Sequence, residues 1–146
     1  MPSARLLGTG FLENHELRFN KRSVDASGKC SVEASGAGVH VAVYALKPAE
    51  KEVLDEIEGV GRGYHDAVID VPGFSDCATY IAEDDHKDDE LSPYHWYREL
   101  VLLGCRYLEF PEAYIATIAA IDSIPDPDLA RRAQNESLIE RIRRSS

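Results

Sequence analysis

Residues 53–64 read Val53-Leu54-Asp55-Glu56-Ile57-Glu58-Gly59-Val60-Gly61-Arg62-Gly63-Tyr64. Apolar residues recur at helical spacing in the first half of this stretch and just before it: Leu46, Ala49, Val53, Leu54 and Ile57. The spacing predicts a helix with one buried stripe, and Glu58 lies on the flank of that stripe. The three alternating glycines that follow predict a helix that ends at a left-handed glycine and leads into a tight turn. Glu58 is therefore expected to be the last, or nearly the last, residue of its helix.

The expected position of Glu58 is unfavourable for a purely structural carboxylate. The C-terminal end of a helix carries partial negative charge, and partial burial penalises the ionised form of a carboxyl group. Both effects raise the pKa toward the range in which a carboxylate works as a general base. A solvated charge at a helix end is the alternative interpretation, and these residues alone leave both open.

The composition is typical of one soluble globular domain. The chain has 146 residues, of which 44% are hydrophobic and 29% are charged, so we expect a single domain over residues 1–146. Twenty-six acidic and sixteen basic side chains give a net charge of -10. This charge repels a phosphate backbone and an anionic lipid surface, so neither nucleic acid nor a membrane is an expected partner.

The first residues and the hydropathy pattern predict a cytoplasmic protein. Met1–Arg5 carry one charged side chain without a long apolar run behind them, and no window reaches membrane-spanning length. The three cysteines, Cys30, Cys77 and Cys105, are odd in number and widely spaced. They match neither a disulfide framework nor a paired metal motif, so free thiols are expected.

Other motifs with a chemical role are weak. The five histidines lack the spacing of a metal site, no nucleophile elbow occurs, and no cofactor is expected. The glycine-rich segment Gly59–Gly63 follows a predicted helix, whereas a dinucleotide-binding loop follows a strand. A nucleotide site is therefore not expected here. Six of the eight residues from Glu83 to Glu90 are acidic, which predicts a solvated loop rather than a calcium site.

The order of predicted elements indicates an α+β protein. Strands are predicted over residues 6–12, 15–20, 30–33, 39–46, 66–71 and 76–82, and the turn-forming pair Pro72-Gly73 joins the last two as a hairpin. Helices begin near Pro93, Pro111 and Asp126, and Asp126-Pro127 is the predicted cap of the last one. The segment Val39–Leu46 is apolar on both faces, as in a central strand that is buried on both sides. Most of residues 21–38 is expected to be loop, and the last helix extends over residues 126–144. Strands first and helices last exclude a doubly wound sheet.

These segments also occur in the order and spacing of one known family. The shared positions are Val43-Tyr44-Ala45-Leu46, Leu54-Asp55-Glu56-Ile57-Glu58-Gly59-Val60, Gly63-Tyr64, Pro93 with Tyr97 and Gly104, and Phe110-Pro111 with Tyr114. In these positions the chain resembles the gamma-glutamylcyclotransferase-like superfamily over nearly its whole length. The resemblance implies a mixed, barrel-like β-sheet flanked by helices, with a C-terminal helical segment.

The resemblance also implies a chemistry and a set of site residues. It makes Glu58 the catalytic base that takes a proton from the α-amino group of a gamma-glutamyl compound. The freed amine then attacks the side-chain carbonyl, and 5-oxoproline leaves, as in glutathione metabolism. Tyr64, Tyr97 and Gly59 are implied as substrate-binding residues. The family's reaction needs neither a metal nor a cofactor.

The sequence departs from the family at its beginning. Family members start with a strand and a Tyr-Gly-Ser-Asn-type loop that holds the substrate carboxylate, whereas this chain begins at a position that corresponds to the segment after that loop. In the family, the backbone amides of this loop also help as the oxyanion forms. Loss of one oxyanion donor typically costs about a hundred-fold or more in rate. In addition, Tyr94 stands where the family often has serine.

Three hypotheses follow from this departure. The chain is an active lyase, or it is an inactive, truncated member that binds a small ligand or a protein, or its true start lies upstream. An open sheet edge invites pairing between chains, so the second hypothesis includes a homodimer.

Overall fold

The computed structural model describes residues 3–145, which form six strands and four α-helices. The strands are β1 (Arg5–Leu12), β2 (Glu16–Arg22), β3 (Gly28–Glu33), β4 (Val39–Ala45), β5 (Tyr64–Val71) and β6 (Phe74–Ala82). The helices are α1 (Pro48–Glu58), α2 (His95–Tyr107), α3 (Glu112–Ala119) and α4 (Leu129–Arg144), with a short 3-10 helix at Asp84–His86. The predicted α+β class is confirmed. Within residues 3–145, no helix combines the length and the apolar character needed to cross a membrane.

The strands pair as three two-stranded antiparallel sheets: β1 with β4, β2 with β3, and β5 with β6. The predicted hairpin around Pro72-Gly73 is confirmed by the β5–β6 pair. The expected loop over residues 21–38 is shorter than predicted, because β2 continues to Arg22 and β3 begins at Gly28. Two basic residues therefore lie in strands rather than in a loop, namely the cross-strand neighbours Lys21 and Lys29.

Two apolar clusters hold the elements together. One lies where β2 meets α2 and α3, and its buried members are Phe19, Leu102, Cys105, Phe110, Ile115 and Ile118. The other lies between the β1–β4 pair and the β5–β6 hairpin, and its buried members are Leu12, Val39 and Val71. Leu17 and Tyr114 pack against both clusters. The shared contacts join the sheets and the helices around one apolar interior.

The terminal helix is attached through a buried carboxylate. Asp126 is 2% exposed and accepts hydrogen bonds from Trp96 Nε1 at 2.9 Å and from Arg131 Nε and an Arg131 terminal nitrogen at 2.6 Å each. Hydrogen bonds from the Arg131 guanidinium keep the pKa of Asp126 well below its usual range. Asp128 caps α4 by accepting from the Arg131 amide. The cap predicted at Asp126-Pro127 is therefore two residues too early.

Helix α1 ends where the sequence predicts. Glu58 is its last residue, and Gly59 adopts the left-handed conformation with φ 72° and ψ 46°. The predicted buried stripe is wrong, because no residue of α1 is buried and Ala49, Val53 and Ile57 are exposed. Val53 is 49% and Ile57 is 68% exposed. A polar contact of this helix explains its orientation: Asp55 accepts a hydrogen bond of 2.5 Å from the Tyr80 hydroxyl of β6.

Strand β4 is not buried on both sides as predicted. It pairs with β1 and, within residues 3–145, with no other strand. Val39 is its one buried residue, and Tyr44 is 47% exposed. An apolar β-branched run shows that a segment suits a strand, but neighbouring elements decide whether both faces are covered.

We predict that Gly59→Ala destabilises the protein by about 1–2 kcal/mol, because a left-handed conformation strains any residue with a Cβ atom. A Cβ at this position meets nothing closer than Arg62 atoms at 3.9 and 4.0 Å, so the loss reflects the backbone alone. Urea denaturation measures it. Gly104→Ala in α2 is the control, since its Cβ would meet no heavy atom within 4 Å, and it should stabilise by about 0.5–1 kcal/mol. Equal effects of the two substitutions would contradict the strain at Gly59.

Candidate active site

A cleft of about 500 Å³ lies beside the C-terminal end of α1, between β2, β5 and α2. Its lining consists of Lys21, Ser23, Val24, Lys29, Glu56, Ile57, Glu58, Gly59, Arg62, Tyr64 and Tyr97. The four site residues implied by the resemblance, Glu58, Gly59, Tyr64 and Tyr97, all belong to this lining. The structure therefore brings together residues from one helix end, one glycine turn, one strand and one distant helix.

Glu58 is a partly buried carboxylate with no direct partner in the described part of the chain. Within residues 3–145 its side chain accepts no hydrogen bond and forms no ion pair. Burial raises the pKa of Glu58 above its ordinary value of 4.5, and the Lys21 ammonium acts in the opposite direction. The upward shift expected from the sequence is thus present, with desolvation as its main cause. Such a group takes up a proton at a higher pH than an exposed glutamate does.

Tyr64 and Tyr97 form hydrogen bonds to the backbone of the same β3 residue, Cys30, and so fix one wall of the cleft. The Tyr64 hydroxyl donates to the Cys30 carbonyl oxygen at 2.7 Å, and the Cys30 amide donates to the Tyr97 hydroxyl at 3.1 Å. Burial raises the pKa of both phenols well above the ordinary value, so both are neutral at physiological pH. Each hydroxyl keeps hydrogen-bonding capacity beyond these contacts.

Cys30 itself is an unsuitable nucleophile. Burial raises the pKa of its thiol to about 11. Because the thiolate is the reactive form of cysteine, the thiol is inert at neutral pH. A thiol-based mechanism in this cleft is therefore not supported.

Lys29 is a cation whose charge is already balanced. Its Nζ lies 3.0 Å from Asp25 Oδ2, 4.4 Å from the centroid of the Tyr97 ring and 4.6 Å from that of the Trp96 ring. Cation–π contacts and the ion pair together fix its position. Lys29 thus supports the wall that carries Tyr97.

Lys21 is another cation of the cleft lining, which also includes Arg62. Sequence reasoning missed Lys21 together with Lys29. Its Nζ lies 4.6 Å from the centroid of the Tyr64 ring. Burial lowers the pKa of Lys21, while the Glu58 carboxylate raises it. Neither lysine belongs to a recognisable motif, and both fall in the segment interpreted mostly as loop. Only the pairing of β2 with β3 shows that they share the cleft with Glu58.

A larger cleft of about 620 Å³ lies between β4, α1 and the β5–β6 hairpin. Two of its lining groups, Lys51 and Tyr80, bind the neighbouring carboxylate of Asp55 through an ion pair and a hydrogen bond. The carboxylate that lines this cleft, Asp76, is exposed. The hydrogen bond from Lys51 lowers the pKa of Asp55. A carboxylate held in this way is a poor proton acceptor at neutral pH. The smaller cleft around Glu58 is therefore the better candidate for catalysis.

The described residues contain no group of three or more His, Cys, Asp and Glu side chains that could hold a metal ion. The acidic segment Glu83–Glu90 instead includes the short 3-10 helix and the ion pair between Lys87 and Asp84 at 3.1 Å.

No family model matches the chain, and no curated protein matches its sequence. Solved structures do match. An uncharacterized protein from Homo sapiens superimposes with a TM-score of 0.74 at 19% identity, over 95% of this chain and 86% of its own. A gamma-glutamyl cyclotransferase superimposes with a TM-score of 0.75 at 18% identity, over 96% of this chain and 87% of its own. YkqA from Bacillus subtilis superimposes with a TM-score of 0.67 at 20% identity, over 82% of this chain and 46% of its own.

These similarities confirm the expected architecture. The chain has the gamma-glutamylcyclotransferase-like fold, in which helices flank small β-sheets. At these identities the comparison concerns the fold, and the roles of individual side chains depend on the geometry of the cleft.

We predict that Glu58→Gln is more stable than the wild type at neutral pH. Folding raises the pKa of Glu58 above 4.5, so its contribution to stability is fully present below that value and is lost as the pH rises through the folded-state pKa. Glutamine does not ionise and avoids this loss, so the difference between the two proteins should shrink at pH below 4.5. Urea midpoints measured at neutral and acidic pH check the prediction.

Glu56→Gln is the matched control, since it removes one negative charge from the last turn of the same helix at an exposed position. A pH-dependent gain of the same size in Glu56→Gln would show that burial of Glu58 is not the cause.

Proposed function

We propose that the chain is a gamma-glutamylcyclotransferase-type lyase, which releases 5-oxoproline from a gamma-glutamyl amino acid or amine. Glu58 is the general base and then the general acid of this reaction. The observation that carries the proposal is the state of Glu58: a partly buried carboxylate with a raised pKa and no direct partner within residues 3–145, in a cleft that also contains Gly59, Tyr64 and Tyr97.

The reaction balances without an added reagent. Glu58 removes a proton from the α-ammonium group of the substrate, and the free amine attacks the γ-carbonyl carbon. A carbon–nitrogen bond forms to the α-nitrogen, and the bond from the same carbon to the leaving nitrogen breaks. The α-nitrogen loses two protons in all and the leaving nitrogen gains two. Glu58 passes these protons on and ends as the carboxylate that began the cycle.

The arrangement suits an intramolecular reaction. Nucleophile and electrophile belong to one substrate molecule, so the protein has to hold it folded and to move protons. Neutral Tyr64 and Tyr97 form a rigid wall beside the base, because their hydroxyls are hydrogen-bonded to the Cys30 backbone. Gly59 places no side chain next to Glu58, which leaves room for the substrate at the helix end.

The comparison with solved structures supports the same reaction class. One of the similar structures is a gamma-glutamyl cyclotransferase, and the two structures superimpose over most of both chains. Similarity at 18% identity indicates a shared fold, and the cleft around Glu58 supplies the chemical argument.

A binding role is the second candidate. The observation that favours it is the outer edge of β4, which pairs with no further strand in the described structure, in a strand that carries the exposed side chain of Tyr44. An open edge of this kind can pair with a second copy or with another protein. Size-exclusion chromatography with light scattering tests the homodimer, since a monomer at all concentrations argues against it.

We predict that Glu58→Gln lowers the rate of 5-oxoproline release by about 10²–10⁴-fold, the typical contribution of a positioned general base. The assay incubates the purified chain with gamma-glutamyl amino acids and gamma-glutamyl amines and measures 5-oxoproline by mass spectrometry. Circular dichroism checks that the variant is folded.

Glu52→Gln is the control, because it removes an exposed carboxylate from the same helix outside the cleft. The proposed role of Glu58 fails if both variants release 5-oxoproline at the wild-type rate, and the proposed function fails if the wild type releases none.

A further inference from the structure

Lys21 differs from the other half-buried lysines of the fold. Lys29 pairs with Asp25 at 3.0 Å, Lys87 pairs with Asp84 at 3.1 Å, and Lys51 pairs with Asp55. Lys21 forms no ion pair within residues 3–145. An ammonium group that is removed from water without a carboxylate partner is unfavourable for stability alone. Its position is thus better explained by a ligand than by the fold.

The Lys21 ammonium packs against the backbone of Gly63, where a side chain would collide with it. Gly63 has φ 140°, and a Cβ built there would lie 2.9 Å from both Cε and Nζ of Lys21. The next residue, Tyr64, places its ring under the ammonium at 4.6 Å. The same turn that follows Glu58 therefore provides both the space for Lys21 and its aromatic neighbour.

Glu58 and Lys21 present opposite charges to one cleft without touching each other. Both line the 500 Å³ cleft, they influence each other electrostatically, and they are too far apart to form an ion pair. Two separate, partly desolvated charges of opposite sign are complementary to a small molecule that carries an ammonium and a carboxylate on the same carbon atom. The α-amino-acid end of a molecule has this arrangement.

We infer that Lys21 binds the α-carboxylate of the substrate and makes a free α-amino-acid end a requirement of the cleft. This inference rests on the proposed function, in which Glu58 faces the α-ammonium of the same end. Charge-assisted hydrogen bonds from an ammonium to a carboxylate are stronger than those to a neutral amide. The protein should therefore prefer gamma-glutamyl compounds with a free α-carboxylate over the corresponding α-carboxamides.

The test compares Lys21→Met with the wild type on a gamma-glutamyl amide and on its α-carboxamide analogue. Lys21→Met should raise KM for the carboxylate substrate by roughly 10–100-fold, as expected for loss of a charged hydrogen bond. It should change kcat much less and abolish the preference for the carboxylate. Lys21→Arg, which keeps the charge, should restore part of that preference.

Arg22→Met is the matched control. Arg22 follows Lys21 on the same strand, is exposed, and pairs with Asp88 at 3.3 Å on the outside of the protein. Arg22→Met removes the same charge as Lys21→Met and should leave both KM and the preference for the carboxylate substrate unchanged. An equal loss in Arg22→Met would show that net charge, not a contact by Lys21, is responsible.

A lower kcat with unchanged KM and an unchanged preference in Lys21→Met would overturn the inference, because Lys21 would then act on the reacting carbonyl or on the fold. Binding of L-glutamine and L-glutaminamide, measured by calorimetry, separates this failure from that of the proposed function. If the wild type turns over no substrate but binds L-glutamine in preference to L-glutaminamide in a Lys21-dependent manner, the carboxylate site stands and the lyase activity does not. Equal binding of the two probes by the wild type overturns the inference in either case.

Discussion

The site depends on two tyrosine hydroxyls that hydrogen-bond the backbone of one residue. Tyr64 of β5 and Tyr97 of α2 bind the carbonyl and the amide of Cys30, so a strand, a helix and the β2–β3 pair are joined at a single point. Tyr97 also meets Phe19 edge to face at 5.9 Å between ring centroids, and Phe19 belongs to the main apolar cluster. Packing of the core therefore determines where the wall of the cleft stands relative to Glu58.

The cleft contains positive charges although the chain as a whole is strongly negative. The protein carries a net charge of -10, yet two lysines line the cleft beside Glu58. Lys29 is neutralised by Asp25 and holds the aromatic wall. Lys21 keeps its charge available, and burial makes both Lys21 and Glu58 sensitive to the charges of a bound molecule. Opposite charges in one cleft are complementary to a molecule that carries both charges.

Local sequence rules predicted much of the fold and part of the cleft. The left-handed Gly59, the last helical position of Glu58 and the β5–β6 hairpin follow from residue types over short distances, and all are observed. Predictions of burial were less successful, since Val53 and Ile57 are exposed and β4 lacks a second partner strand in the described structure. Periodicity shows which side chains share a face, whereas contacts with distant segments decide which face is covered.

The sequence by itself determined the helix that delivers Glu58, because a glycine that can adopt positive φ ends a helix through backbone sterics alone. It also determined the α+β class through the order of strand and helix patterns. Only the tertiary structure decided that Tyr64, Tyr97 and Lys21 meet Glu58 in one cleft. Lys21 and Tyr97 lie far from Glu58 along the chain, and their meeting with it depends on strand pairing, on aromatic contacts and on the balance of buried charge, which local patterns do not encode.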